Sequence, residues 1–176
     1  LSDSQGDEAA CEAGAAAATL VGRLCHRVLE SWDFKAGGDV AAAVAAAARP
    51  LQSLEPEADW PQARAEAGEI LAVFLDCDVA RALARVEILG REVPFIYSEG
   101  GLVMRGSIDL LYRANGRLIV ADYKTDRLAG AAEAAARRAK YERQGRTYCA
   151  AVKRAWGEAD VRFNILFLRR PDLSHL

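Results

Sequence analysis

The chain has 176 residues, of which 52% are hydrophobic and 27% are charged, and its formal net charge is −2. This length and composition predict one globular domain with a sizeable core and exclude a largely disordered chain. No apolar run approaches the length of a membrane span, and no signal peptide is evident, so the sequence indicates no membrane segment.

The first residue and the cysteines indicate whether the chain is a fragment and in which redox compartment it is found. Because the chain begins at Leu1 and its single methionine is Met104, we expect a fragment of a longer polypeptide. The four cysteines are Cys11, Cys25, Cys77 and Cys149. They lie far apart and form no Cys-x-x-Cys pair, which argues against a zinc site or an iron–sulfur cluster and favours reduced cysteines in a cytosolic protein.

Positive charge is concentrated in one segment of the chain. Residues 124–154 contain nine Lys or Arg against three acidic residues, a net charge of +6, which leaves −8 for the rest. Two interpretations fit this segment equally well on charge alone: a contact surface for nucleic acid, and a solvated helix face.

Residues 9–80 are predicted to be mainly helical, after a frayed start. The first helix runs from about Ala9 to Trp32 and carries an apolar stripe at helical spacing. Gly22, His26 and Glu30 are spaced four apart and form a second line beside that stripe. Taken alone, His26 is more typical of a satisfied core histidine than of a ligand, and Glu30 reads as a surface residue.

Two further helices and a short helix or turn are predicted before the sheet. Asp39 is expected to cap an alanine-rich helix that Pro50 stops after about Ala48. Pro61 is suited to begin the next helix, which reaches about Cys77. The sequence indicates no function for residues 39–80.

Residues 85–168 predict a sheet core with one long helix. The first strand covers about Arg85 to Tyr97, and Pro94 marks it as an edge strand or a bulge. Asn115-Gly116 is a strong signal for a tight hairpin turn. The strands that it joins are predicted at Met104–Tyr112 and Arg117–Lys124.

This hairpin carries two carboxylates and a lysine. With a two-residue loop, Asp109 and Asp122 are expected directly opposite each other on one face, and Lys124 points to the same face. The simpler interpretation is an exposed polar face, but the apolar residues on both sides of each strand indicate a covered sheet, where unpaired carboxylates are costly. The spacing therefore predicts a site for a hard divalent cation beside a positive group, provided that no bulge shifts the register.

The last elements are a helix and a strand. A long helix is predicted from about Ala131 to Trp156, with Gln144 and Tyr148 on one face, and Gly157 ends it. Val161–Leu168 reads as the final strand. Helices, a three-stranded meander, a long helix and a strand together predict an α/β fold with helices packed on a mixed sheet.

Five short motifs occur in order along the chain. They are Gly22-x-x-x-His26-x-x-x-Glu30, Glu92-x-Pro94-Phe95, Gly106-x-Ile108-Asp109-Leu110, Asp122-Tyr123-Lys124-Thr125 and Gln144-x-x-x-Tyr148. Together they resemble the RecB/AddA-type nuclease domain of the PD-(D/E)xK superfamily. Each motif alone is weak, but the five occur in order over most of the chain. The resemblance implies a restriction-endonuclease-like mixed β-sheet core (αβββαβ) flanked by helices, in one nuclease domain.

The resemblance also implies roles for individual residues. Asp109, Asp122 and Lys124 take catalytic positions, and the metal ligands are His26, Asp109, Asp122 and the backbone carbonyl of Tyr123. Gln144 and Tyr148 match a pair that supports the site and contacts DNA, whereas Glu30 and Glu92 are expected only to support it. The basic residues expected to follow the DNA backbone are Arg137, Arg138, Lys140, Arg143 and Arg146.

The function implied is metal-dependent hydrolysis of DNA. Mg²⁺, or Mn²⁺ if the imidazole participates, is the expected metal, without an iron–sulfur cluster. The expected partners are DNA, especially single-stranded ends, a helicase motor in the same polypeptide and a partner nuclease subunit, all in the cytoplasm and without a membrane. The alternative is a silent nuclease fold that serves as a DNA-binding or scaffolding module.

Overall fold

A computed structural model of the chain describes residues 19–174, apart from the side chains of Glu99 and Leu102. Two units are distinguished among these residues, one formed by residues 19–32 with 37–72 and the other by residues 33–36 with 73–174. Between residues 19 and 174, no helix is both long and apolar enough to cross a bilayer.

The first unit is helical. Its first helix, α1, occupies residues 19–31, and the predicted start at Ala9 lies outside the described residues. The apolar stripe of α1 is buried at Val21, Leu24, Cys25, Val28 and Leu29. The pattern of apolar residues therefore predicted the buried face of this helix correctly.

Helix α2 spans Val40–Gln52. The prediction that Pro50 stops this helix after about Ala48 was wrong. Asp39 caps its start, accepting a hydrogen bond of 3.1 Å from the amide of Ala42. Pro50 lies in the last turn, where its missing N–H removes a single intrahelical bond and the helix ends shortly afterwards. Helix α3 spans Trp60–Leu75.

The second unit contains the sheet. After α4 (Asp78–Leu83), the strands are β1 (Glu87–Glu99), β2 (Leu102–Ala114), β3 (Arg117–Lys124) and β4 (Val161–Phe167). They lie side by side in chain order, with β1, β2 and β3 antiparallel and β4 parallel to β3. Helix α5 (Ala131–Trp156) makes the crossover to β4 and ends at Gly157, whose φ of 69° is left-handed. A 3₁₀ helix, Pro171–Leu173, follows.

The predicted hairpin has the expected register. Asn115 and Gly116 both have positive φ, 51° and 75°, as a type I′ turn requires. The β2–β3 ladder runs from the Ala114–Arg117 pair to the Leu110–Ala121 pair. The ladder ends before the predicted pair of Asp109 and Asp122, so their direct opposition stays a prediction. The prediction of an edge strand is also confirmed, because β1 containing Pro94 lies at the edge of the sheet.

Helix α5 covers one face of the sheet. Tyr148 and Val152 pack there against a buried cluster of strand residues, which comprises Ile108, Leu111, Leu118, Val120 and Val161. Gly145 allows the closest approach, because a Cβ atom at this position would lie 2.2 Å from the Phe163 ring. The core thus fixes α5 over the face to which Asp122 and Lys124 also belong by strand alternation.

Candidate metal centre and its supporting network

Asp109 sits where the β2–β3 ladder ends. Its carboxylate accepts a hydrogen bond of 2.7 Å from the backbone amide of Tyr123, and the residue is only 7% exposed. The side chain therefore takes the place of a backbone acceptor at the end of the ladder. This bond fixes the carboxylate beside the backbone of the Asp-Tyr-Lys motif.

Glu92 lies on β1, opposite Asp109 on the neighbouring strand β2. The flanking pairs Arg91–Leu110 and Val93–Ile108 bring residues 92 and 109 to facing positions, and their carboxylate oxygens approach within 4.8 Å of each other. Glu92 has a φ of 46°, which is uncommon for a residue other than glycine. Glu92 was expected only to support the site, whereas in the structure its carboxylate lies beside that of Asp109.

Asp122 and Lys124 form an ion pair on the adjacent strand. Lys124 Nζ contacts Asp122 Oδ2, and Asp122 is 2% exposed. The backbone carbonyl of Lys124 accepts a hydrogen bond of 2.8 Å from the amide of Leu168, which ties the end of β3 to the end of β4. Asp122 and Lys124 thus meet at the end of the hairpin, and the amide of Tyr123 between them binds the Asp109 carboxylate. The catalytic roles of these three side chains stay a prediction.

Lys124 also contacts an aromatic ring on α5. Its Nζ lies 4.7 Å from the centroid of the Tyr141 ring, within the range of a cation–π interaction. The Tyr141 hydroxyl donates to the carboxylate of Asp126, at 3.1 and 3.2 Å from its two oxygens. Neither Tyr141 nor Asp126 was among the predicted site residues, although Tyr141 shares a helix stripe with Gln144 and Tyr148.

Gln144 and Tyr148 interact directly, as their spacing of four residues suggested. Gln144 Nε2 donates to the Tyr148 hydroxyl at 2.6 Å, and the Tyr148 ring packs edge-on against Phe95 and Phe163. Burial raises the pKa of Tyr148 to about 12, and the negative charge of Asp122 acts in the same direction. The Tyr148 phenol therefore stays protonated at neutral pH and can donate a hydrogen bond.

The predicted DNA-contacting residues of α5 fall into two groups. Arg138 contacts the backbone carbonyl of Leu173 and lies over the Phe167 ring, and Arg137 lies 3.6 Å from Asp126. Lys140 and Arg143 are exposed. Arg146 is exposed as well and lies 3.4 Å from Glu142. Contacts within the protein account for Arg137 and Arg138, so Lys140 and Arg143 are the better candidates for DNA contact.

The two remaining predicted residues lie on α1 in the helical unit. His26 is half-buried, and its role as a metal ligand stays a prediction. Glu30 is exposed on the same helix and lies 3.6 Å from Arg27, so an ion pair within α1 accounts for its charge. The backbone carbonyl of Tyr123 likewise stays a predicted ligand.

Comparison with known proteins identifies the family. The sequence profile of the PD-(D/E)XK nuclease superfamily matches residues 5–175, nearly the whole chain. The chain belongs to this superfamily. Its α/β architecture, with an open mixed sheet of four strands between residues 19 and 174 and helices beside it, is the restriction-endonuclease-like fold. No curated protein matches the chain.

PD-(D/E)XK nucleases typically use a divalent metal ion, and the carboxylates of this domain suit one. Asp109 and Asp122 are both buried, and Glu92 adds a further negative charge close to Asp109. Neighbouring buried carboxylates are unfavourable unless a positive charge compensates them. An oxygen-rich set of donors is what Mg²⁺ and Mn²⁺ prefer, so the residues fit such an ion.

Proposed function

We propose that this domain is a divalent-metal-dependent deoxyribonuclease. The observation that carries the proposal is the position of two pairs of side chains in a member of a nuclease superfamily. The carboxylates of Glu92 and Asp109 approach within 4.8 Å of each other, and Asp122 forms an ion pair with Lys124. The two pairs are linked by Tyr123, which lies between Asp122 and Lys124 in the sequence and donates its amide hydrogen bond to Asp109. A bound divalent cation would supply a water of lowered pKa and polarise the phosphate. Asp109 and Asp122 are the proposed ligands, joined by Glu92, His26 and the Tyr123 carbonyl.

The remaining residues of the site act on the phosphate and on the DNA strand. Lys124 would stabilise negative charge that develops on the phosphodiester. Its ammonium group lies beside Asp122, which is a proposed ligand of the metal ion. The protonated Tyr148 phenol, held by Gln144, can donate a hydrogen bond to a phosphate oxygen. Lys140 and Arg143 are exposed on α5 and suited to contact the backbone independently of base sequence.

The five ordered sequence motifs support a more specific proposal, a nuclease domain of the RecB/AddA type. Such a domain processes DNA ends during the repair of double-strand breaks, in the cytoplasm, with a helicase motor in the same polypeptide and a partner nuclease subunit. Its substrate would be the single strand delivered by the motor. A domain that depends on this delivery is expected to bind its metal ion alone and to cleave DNA only slowly without the motor.

The test is cleavage of linear single-stranded DNA by the wild type and by Asp122→Asn, with Mg²⁺ or Mn²⁺. The substitution removes the charge of Asp122 and nearly preserves its shape. Asp76→Asn is the matched control, because the Asp76 side chain is 96% exposed and interacts with Arg81. We expect cleavage by the wild type and the control, and loss of cleavage in Asp122→Asn and with EDTA.

Two results would contradict the proposal. Metal-dependent cleavage that persists in a clean preparation of Asp122→Asn would remove Asp122 from the mechanism. Metal binding by the wild type without any cleavage, even when the motor is supplied, would favour the alternative of a DNA-binding or scaffolding module. The presence of Asp109, Asp122 and Lys124 together argues against that alternative.

A further inference from the structure

Tyr141 connects α5 to the lysine of the proposed nuclease site. Its ring centroid lies 4.7 Å from Lys124 Nζ, and an ammonium group at this distance from a ring face is attracted to it. Lys124 also contacts Asp122, so its ammonium group has both a carboxylate and a ring as neighbours. The Lys124 side chain is 19% exposed, which limits the competition from water.

The hydroxyl end of Tyr141 is anchored as well. It donates to Asp126, whose side chain is 13% exposed and which lies 3.6 Å from the Nε atom of Arg137. Burial and the charge of Asp126 raise the pKa of Tyr141 to about 12, so the phenol keeps its proton at neutral pH. Asp126 therefore holds the ring in a defined orientation through a charge-assisted hydrogen bond.

The two neighbours of Lys124 differ in one respect. Asp122 is a proposed ligand of the divalent cation, and a cation bound there competes with Lys124 for the same carboxylate. The Tyr141 ring is not a ligand and keeps its attraction for the ammonium group. A lysine that lost the carboxylate and had no second contact would sample many rotamers on its flexible stem.

We propose that Tyr141 is a positioning residue for Lys124: its ring, anchored by Asp126, holds the ammonium group at the site when Asp122 is engaged by a divalent cation. This proposal rests on the proposed nuclease function. It assigns a role to Tyr141 and Asp126 that the five sequence motifs do not cover. The ring contributes to turnover rather than to DNA affinity, because it acts through Lys124.

The first part of the test is NMR of the metal-free wild type with lysine labelled at the ε-carbon. An ammonium group above a ring shifts the adjacent ε-methylene protons upfield through the ring current. Comparison with Lys124→Met assigns the resonance. We expect the full upfield shift in the wild type, a smaller shift in Tyr141→Phe, which keeps the ring but loses its anchor to Asp126, and no shift in Tyr141→Leu.

The second part is steady-state cleavage of single-stranded DNA by the same variants. Tyr141→Leu should lower kcat about tenfold and leave the KM for DNA unchanged, while Tyr141→Phe should stay within about threefold of the wild type. Trp156→Leu is the matched control on the same helix, because Trp156 is 48% exposed at the end of α5. This control should change neither the shift nor the rate.

The outcomes separate this proposal from the proposed function. Wild-type ε-methylene protons of Lys124 that resonate with those of exposed lysines would overturn it, and this result does not depend on the folding of any Tyr141 variant. An unchanged kcat in folded Tyr141→Leu would overturn it while the nuclease function stands. A ring-dependent upfield shift in a wild type that cleaves no DNA would support the positioning of Lys124 while the nuclease function fails.

Discussion

The backbone amide of Tyr123 donates a 2.7 Å hydrogen bond to the carboxylate of Asp109, the residue that precedes Leu110 at the end of the β2–β3 ladder. The Asp109 carboxylate therefore completes the end of the ladder and also lies within 4.8 Å of the Glu92 carboxylate. Substitution can separate the structural contact from the proposed metal binding, because only metal binding requires the negative charge.

Asp109→Asn and Asp109→Ala should therefore behave differently. Asparagine keeps an oxygen that accepts from Tyr123, so we expect a free energy of unfolding close to that of the wild type and a loss of metal affinity. Alanine leaves the buried amide without its acceptor and should lower the free energy of unfolding by about 1–3 kcal/mol as well. Urea unfolding of the metal-free proteins checks this difference, and equal stabilities of the two variants would contradict it.

Gly145→Ala should destabilise the domain because of the close approach of α5 to β4. The new Cβ atom would lie 2.2 Å from Phe163, so the helix or the ring must move, at a cost of about 1–3 kcal/mol in the free energy of unfolding. Gly68→Ala in α3 is the matched control, because its Cβ atom meets nothing within 4 Å. There we expect a gain of about 0.4–1 kcal/mol. Thermal or urea unfolding that ranks the two variants in the opposite order would refute this account of the packing.

Tyr148 should make stability depend on pH in the alkaline range. Burial raises its pKa from 10.0 to about 12 in the folded state, so folding favours the protonated phenol. The stabilisation is complete below pH 10 and is lost as the pH rises through the folded-state pKa of about 12. Tyr148→Phe should remove this part of the pH dependence. Urea unfolding of both proteins between pH 8 and 11 measures it, and parallel stability curves would argue against a raised pKa.

The basic residues of α5 should separate into two classes. Arg138→Ala is expected to lower the free energy of unfolding, because Arg138 contacts the Leu173 carbonyl and lies over the Phe167 ring. Lys140→Ala and Arg143→Ala should leave stability unchanged, weaken DNA binding and reduce its salt dependence. Fluorescence anisotropy with labelled single-stranded DNA at several salt concentrations checks this. If only Arg138→Ala reduced the salt dependence of DNA binding, Arg138 rather than Lys140 and Arg143 would be the DNA contact.

The hairpin and its chemistry were predictable because the signals are local. Asn115-Gly116 requires positive φ at both positions, which selects one turn type and with it the register of the β2–β3 ladder. Strand alternation then placed Lys124 beside Asp122. The bounds of β3 and α5 were also predictable from local patterns of apolar residues. For α5, Gly157 marked the end of the helix.

The features that were missed depend on tertiary structure. From the sequence alone, a proline such as Pro50 is expected to end a helix. In the last turn of α2 it removes only one intrahelical hydrogen bond, so the helix continues to Gln52. Glu92 reaches Asp109 through strand pairing and an uncommon backbone conformation that the sequence does not specify. Tyr141 meets Lys124 only because α5 crosses the sheet at a particular position, which Gly145 and Phe163 help to determine.

We expect the buried carboxylates of Asp109 and Asp122 to bind a divalent cation that is used in hydrolysis. Isothermal titration of Mn²⁺ into the wild type, Asp122→Asn and the Asp76→Asn control measures this binding. Specific binding to the wild type and the control, with the affinity lost in Asp122→Asn, is the expected result. Equal binding by all three proteins, or no specific binding by the wild type, would contradict it.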